Sequence, residues 1–94
     1  MIIRLPKATK ADLIRGVLDY WDPCRGRPDP MYYNYEAEVL AQSIRKNSSV
    51  DTVWKKVKEV IDKKLELEGK PYRVDEENTK RVAAAMISAV KNIR

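Results

Sequence analysis

The sequence predicts an all-α protein, a compact four-helix bundle with a proline-rich loop between helices 1 and 2. The first observation is that apolar residues recur at helical spacing in four separate segments. The second is that each segment begins near a helix-capping residue and ends near a proline, a glycine or basic side chains. The third is length, because 94 residues can form one small hydrophobic core. We therefore expect a single helical domain over residues 1–94.

The first predicted helix covers about residues 10–21 and follows an extended lead at residues 2–5. Thr9 is a suitable N-cap, and Asp12 in the first turn interacts favourably with the helix dipole. Gly16 either permits a close helix crossing or is simply tolerated. Pro23 ends the helix, because the residue before a proline avoids the α-helical region. The predicted buried stripe is Leu13, Ile14, Val17, Leu18 and Trp21.

The second and third predicted helices are joined by a short connection. Helix 2 covers about residues 35–46, with Asn34 as its N-cap. Helix 3 begins after Ser48 or Ser49, has the clearest amphipathic stripe in the chain, and ends at Gly69. The apolar face of helix 2 is Tyr33, Ala37, Leu40, Ala41 and Ile44. The stripe of helix 3 is Val50, Val53, Trp54, Val57, Val60, Ile61 and Leu65.

The fourth predicted helix begins at Asp75, and Glu76 and Glu77 lie in its first turn. Acidic residues there interact favourably with the positive end of the helix dipole, and Lys91 interacts favourably with the negative end. The predicted buried face is Val82, Ala83, Met86, Ile87, Val90 and Ile93. Four amphipathic helices with mostly short connections predict a bundle.

The loop between helices 1 and 2, residues 22–33, is the part of the chain that we associate with function. Its three prolines each fix a backbone φ angle, so we expect a loop that is held in shape. An irregular loop of this length is uncommon in a small domain unless it is functional. Arginine and tyrosine are frequent in binding hot spots. The residues that we predict to contact a partner are Arg25, Arg27, Met31, Tyr32 and Tyr33.

A structural interpretation of the same loop stays open. In it, Asp22 and Asp29 pair with the two arginines, while the tyrosines cover the core. Cys24 has two alternatives as well. Beside Arg25 its thiol is a candidate for a lowered pKa and for reactivity, whereas in the structural interpretation it is a small, partly buried residue.

The residue types of common catalytic and metal sites are scarce. The chain has no histidine, which is the commonest general base and metal ligand. Its single cysteine provides neither a zinc nor an iron–sulfur site, and its three glycines are not clustered into a phosphate-binding loop. Neighbouring carboxylates such as Glu36 and Glu38 diverge on a helix. We predict a protein that is not an enzyme, with no catalytic residue, metal or cofactor.

Nucleic-acid binding is the alternative function. The formal net charge is +5, and the excess of basic residues lies at the two ends of the chain. Helices 2 and 3 imitate a helix-turn-helix, but Asp51 lies where a recognition helix presents base-contacting side chains. The residues assigned to this alternative are Arg4, Lys7, Lys10, Arg15, Lys80 and Arg81.

The expected compartment is the cytoplasm. One cysteine cannot form an internal disulfide, which is typical of a reducing environment. The apolar runs are too short for a signal peptide or a membrane span, so no membrane partner is expected. The apolar stripe of helix 3 is as suitable for a dimer interface as for a core, so a homodimer stays an alternative. Helix surfaces rich in lysine and glutamate are typical of a thermophilic source.

The segment around the loop resembles a known family. The residues are Trp21-Asp22-Pro23, Gly26, and Tyr35-Glu36 followed by Glu38-Val39. They are similar to a Trp–(Asp/Asn)–Pro–x–x–Gly turn and a Tyr–(Asp/Glu)–x–Glu–(Ile/Val) helix start in small bacterial proteins of unknown function, the YugE-like family. Related sequences occur among immunity proteins of bacterial toxin systems. The resemblance spans about residues 13–65 and implies an all-helical fold with no known catalytic residues.

The function predicted from these observations is binding of another macromolecule, most simply a protein. The chain would act as an adaptor or as an inhibitor of the immunity type. The 22–33 loop would provide the contact surface.

Overall fold

The computed structural model describes residues 9–93 of the chain. Over this range the protein forms four α-helices and no strand, so the predicted all-α four-helix bundle is confirmed. The helices are α1 (Lys10–Trp21), α2 (Asn34–Ser43), α3 (Val50–Leu67) and α4 (Glu76–Lys91). The extended lead predicted at residues 2–5 lies outside the described residues.

The four helices form a ring around one core. Each helix packs against two others, in the order α1, α2, α3, α4 and back to α1, whereas the Cα atoms of the two diagonal pairs lie more than 8 Å apart. Most of the residues in the stripes predicted from helical spacing face inward, with Val17 and Val60 at the edge of the core. Leu13 and Ile93, which were predicted to be buried, are only partly buried and do not belong to the core. Fully buried residues at the centre are Ile14, Leu18, Leu40, Val57, Ile61, Leu65 and Met86 of the helices, and Ile44, which follows α2.

Three of the predicted N-caps are confirmed. Thr9 and Asp12 form a reciprocal capping box, in which each side chain accepts the other residue's backbone N–H, at 3.1 and 2.9 Å. Ser49 accepts the N–H of Thr52, and Asp75 caps α4. These bonds satisfy backbone donors that have no partner within the helix.

The end of α3 also follows the prediction. Gly69 has a φ of +70°, which is accessible to glycine at little cost. Its N–H donates to the carbonyl of Glu66 at 3.0 Å, and the N–H of Lys70 donates to the carbonyl of Leu65 at 2.9 Å. Gly16, by contrast, serves no close helix crossing, because it is exposed and an added Cβ would meet nothing within 4 Å.

The predicted bounds of helix 2 are wrong at both ends. Asn34 is the first helical residue rather than the cap, and Tyr33 occupies the cap position without a side-chain cap bond. The helix ends at Ser43 rather than at residue 46, because Ile44 is extended and fully buried. The N–H of Arg45 then donates to the Ser48 hydroxyl at 2.8 Å, which forms the turn into α3.

Candidate functional site

The 22–33 loop begins with a sharp change of direction at the end of α1. Asp22 has a left-handed backbone with a φ of 48°, and its N–H donates to the carbonyl of Leu18 at 2.7 Å. Arg25 is left-handed too, with a φ of 56°, and its N–H donates to the carbonyl of Asp22 at 2.9 Å. Gly26 follows with a φ of 146°. The chain therefore turns within five residues, in conformations that most side chains avoid.

Tyr33 fixes this turn from the inside. Its ring is fully buried, its hydroxyl donates to Asp22 Oδ1 at 2.7 Å, and it accepts the N–H of Cys24 at 3.0 Å. Burial and the bond to Asp22 raise the pKa of Tyr33 above its ordinary range. Cys24 is fully buried in the same place. Tyr33 is therefore enclosed in the core and presents no surface to a partner.

Tyr72, from the connection between α3 and α4, fixes the loop from a second direction. Its hydroxyl donates to the carbonyl of Pro23 at 2.9 Å. The Arg25 guanidinium lies over the Tyr72 ring, with its central carbon 4.2 Å from the ring centroid, which is a cation–π contact. Sequence pattern alone does not predict this contact, because 49 positions separate Tyr72 from Pro23.

The charged loop residues do not pair as the structural interpretation expected. Arg27 pairs with Asp19 of α1 at 3.3 Å rather than with Asp22 or Asp29. Asp29 instead accepts the backbone N–H of Met31 at 2.8 Å, and no ion pair within residues 9–93 involves Asp22 or Asp29. The pairing predicted for the two aspartates is therefore wrong.

The structure divides the predicted contact residues into two groups. Arg25, Arg27 and Met31 are exposed, as is every residue from 25 to 31. Tyr32 is half-buried and packs edge-to-face on Tyr33, with ring centroids 5.1 Å apart. We define the exposed segment, residues 25–31, as the outer loop.

A second surface, which the sequence reasoning missed, lies between α2 and α3. This α2–α3 groove has a volume of about 430 Å³. Its apolar lining includes Tyr35 and Val39 of α2, and Val60 and Leu67 of α3. Tyr35 is 73% exposed and Leu67 is 78% exposed. The available signal was that Leu67 is apolar but lies off the buried stripe of its helix.

A buried ion pair closes one side of this groove. Lys64 Nζ lies 3.2 Å from Glu36 Oε1, and the two side chains are only 12% and 9% exposed. The contact does not have hydrogen-bond geometry, so Glu36 Oε1 is enclosed without a hydrogen-bond donor. The ammonium also lies 4.0 Å from the ring centroid of Tyr32. The pair joins α2 to α3, and Tyr32 links it to the loop.

The residues assigned to nucleic-acid binding do not form one stripe. Arg4 and Lys7 lie outside the described residues. Arg15 pairs with Asp12 at 3.7 Å, and Lys80 and Arg81 pair with the acids one turn earlier on α4, at 3.4 and 3.0 Å. Lys10 lies near the other end of α4, where it lines a shallow pocket with Arg45 and Lys46.

Within residues 9–93, no three histidine, cysteine or acidic side chains are grouped so as to hold a metal ion. No helix in that range is long and apolar enough to cross a membrane. Comparison of the chain with protein-family models, curated proteins and solved structures gives no significant match.

Proposed function

We propose that this chain is a non-catalytic domain that binds another protein through the outer loop, as an adaptor or an immunity-type inhibitor. The observation that supports this proposal is that the loop has a backbone fixed by hydrogen bonds and an exposed outer segment. The hydroxyls of Tyr33 and Tyr72 bond to the loop backbone at Cys24 and Pro23, while residues 25–31 are all exposed. The proposed compartment is the cytoplasm, where a lone buried cysteine stays reduced.

A loop held in shape is well suited to binding. Association costs free energy when mobile segments become ordered, so a contact surface that is ordered before binding loses less. The side chains on this surface also fit the role. The Arg27 side chain is 39% exposed, and Met31 is 52% exposed and adapts readily to an apolar partner.

The charge of the molecule favours an acidic partner. The formal net charge is +5, and long-range attraction speeds the encounter of oppositely charged proteins. A carboxylate of the partner would compete with Asp19 for Arg27, which is geometrically suited to paired hydrogen bonds.

The test is capture of partners from the host lysate with three tagged proteins: wild type, Arg27→Ala with Met31→Ala, and Arg81→Ala. Nuclease treatment precedes capture. Tyr32 is left intact, because its ring contacts Lys64 and Tyr33. We expect a protein that is retained by wild type and by Arg81→Ala but lost from the loop variant. The melting temperatures should agree closely, since exposed side chains contribute about 0.5 kcal/mol or less to stability. A partner retained equally by all three proteins would contradict the proposal.

Nucleic-acid binding is the second candidate, and one observation favours it. Lys10, Arg45 and Lys46 line the same shallow pocket, and none of them makes an ion pair within residues 9–93. Such a cluster is available to phosphate groups. Binding of single-stranded or duplex oligonucleotides should then weaken steeply as salt rises. An affinity that does not respond to salt would exclude this candidate.

A further inference from the structure

The α2–α3 groove is a second surface that the outer-loop proposal leaves unused. Four large hydrophobic residues are exposed within residues 9–93, and two of them, Tyr35 and Leu67, line this groove. They lie on different helices, with Val39 and Val60 also in the lining. Exposed apolar residues that converge on one concave surface are typical of a binding site, whereas isolated ones are ordinary.

The shape of the groove fits a helix. Its α3 side is formed by residues at helical spacing from 56 to 67, which corresponds to about 16 Å or three helical turns. The Glu36–Lys64 ion pair holds α2 and α3 together along one side, so the groove exists before anything binds. An amphipathic helix places its apolar side chains in a groove of this kind at spacings of three and four residues.

The charges around the groove favour an acidic occupant. Lys64 is engaged by Glu36 and Lys56 by Glu59, at 3.2 and 3.5 Å. Lys63 also lines the groove and makes no ion pair within residues 9–93. A carboxylate beside the apolar face of the occupant would form an ion pair with Lys63. The net charge of +5 acts in the same direction and opposes a second copy of this chain.

We propose that the α2–α3 groove is a docking site for an amphipathic helix of a partner protein. The apolar face of that helix packs against Tyr35, Val60 and Leu67, and an acidic residue at its edge pairs with Lys63. The site is separate from the outer loop, and it does not depend on the loop binding anything.

The test uses a displayed library of helical peptides, randomised along about three turns of helix. Selection is for wild-type protein, with depletion on Leu67→Asp. Leu67 is 78% exposed, so the aspartate is expected to leave the fold intact, and circular dichroism checks this. We expect enriched peptides with one apolar stripe and an acidic flank. Leu67→Asp should lower their affinity at least about tenfold, as for loss of an anchor residue.

Two further proteins test the charge and the location. Tyr20→Asp, at a site that is 95% exposed and outside the groove, should bind the peptides like wild type. Lys63→Glu should bind them more weakly, and a peptide whose acidic residue is replaced by lysine should recover affinity for that variant.

Three outcomes would overturn the proposal. The first is no enrichment over Leu67→Asp, and the second is enrichment of peptides with basic flanks. The third is a wild-type dimer in sedimentation that Leu67→Asp converts to a monomer, which would assign the groove to a second copy of the chain. None of these results depends on Arg27 or Met31, so this proposal can fail while the outer-loop proposal stands.

Discussion

At the scale of single residues, Tyr33 fixes the conformation of the turn that begins the loop. It is fully buried, and its hydroxyl accepts the N–H of Cys24 and donates to Asp22. Sequence reasoning placed Tyr33 both on the apolar face of helix 2 and on the contact surface. The first placement is confirmed by its burial. The second failed because arginine and tyrosine enrichment indicates binding hot spots statistically, whereas burial depends on where the loop folds back.

Tyr33→Phe should therefore destabilise the protein although it keeps the ring. The change removes two hydrogen bonds, one to a carboxylate, and leaves a buried N–H without a partner. We expect a loss of about 2–3 kcal/mol in the free energy of unfolding, measured with urea. Tyr35→Phe is the matched control, since Tyr35 is 73% exposed and makes no hydrogen bond through its hydroxyl within residues 9–93. Equal losses in both variants would contradict the assigned role.

At the scale of helices, three of the four N-caps were predictable and the contacts between helices were not. The bounds of α1 match the prediction because Thr9, Asp12 and Pro23 are local signals. The Glu36–Lys64 pair and the Tyr72 contact join residues that are distant in sequence, and periodicity shows which face is buried without showing what it meets. The end of α2 at Ser43, earlier than predicted, also reflects contacts between helices. Burial of the extended Ile44 in the core outweighs the local preference of the sequence for helix.

The Glu36–Lys64 pair gives a prediction at this scale. Lys64→Met leaves a buried carboxylate without its cation, so we expect a loss of about 3 kcal/mol in the free energy of unfolding. The double variant Glu36→Leu with Lys64→Met removes both charges and should recover most of that loss. Chemical denaturation of wild type, of the single variants Lys64→Met and Glu36→Leu, and of the double variant completes the cycle. A double variant as unstable as the sum of the single ones would show that the two groups are not coupled.

The helix caps predict how stability depends on acid. Hydrogen bonds from Thr9 lower the pKa of Asp12 below its ordinary 3.8, and those from Asn78 lower the pKa of Asp75. Because the folded pKa is the lower one, this stabilisation is complete well above pH 3.8 and is lost as the pH falls through the folded pKa.

Melting curves between neutral pH and about pH 2 test this dependence. Asp75→Asn keeps a capping side chain but no titrating group, so its melting temperature should fall less steeply with acid than that of wild type. Identical acid profiles would show that the Asp75 cap makes no ionic contribution.

At the scale of the whole molecule, two surfaces are built on the same frame. The ring of four helices places the outer loop where α1 meets the α3–α4 connection, and it leaves the groove open between α2 and α3. Tyr32 links the two, because its ring contacts both Tyr33 of the loop and Lys64 of the groove. The fold class followed from the apolar periodicity of four segments, whereas the groove depends on packing between helices.

The most direct test of the central claim is amide hydrogen exchange, measured by NMR on the free protein. The claim is that the loop is ordered before any partner binds. We expect the amides of Cys24 and Arg25, which donate to the Tyr33 hydroxyl and to the Asp22 carbonyl, to exchange much more slowly than those of an unstructured peptide. Gly26 is an exposed residue in the same turn, and its amide should exchange quickly. Exchange of Cys24 and Arg25 at unstructured rates would contradict the claim and remove the physical reason for assigning the contact surface to the outer loop.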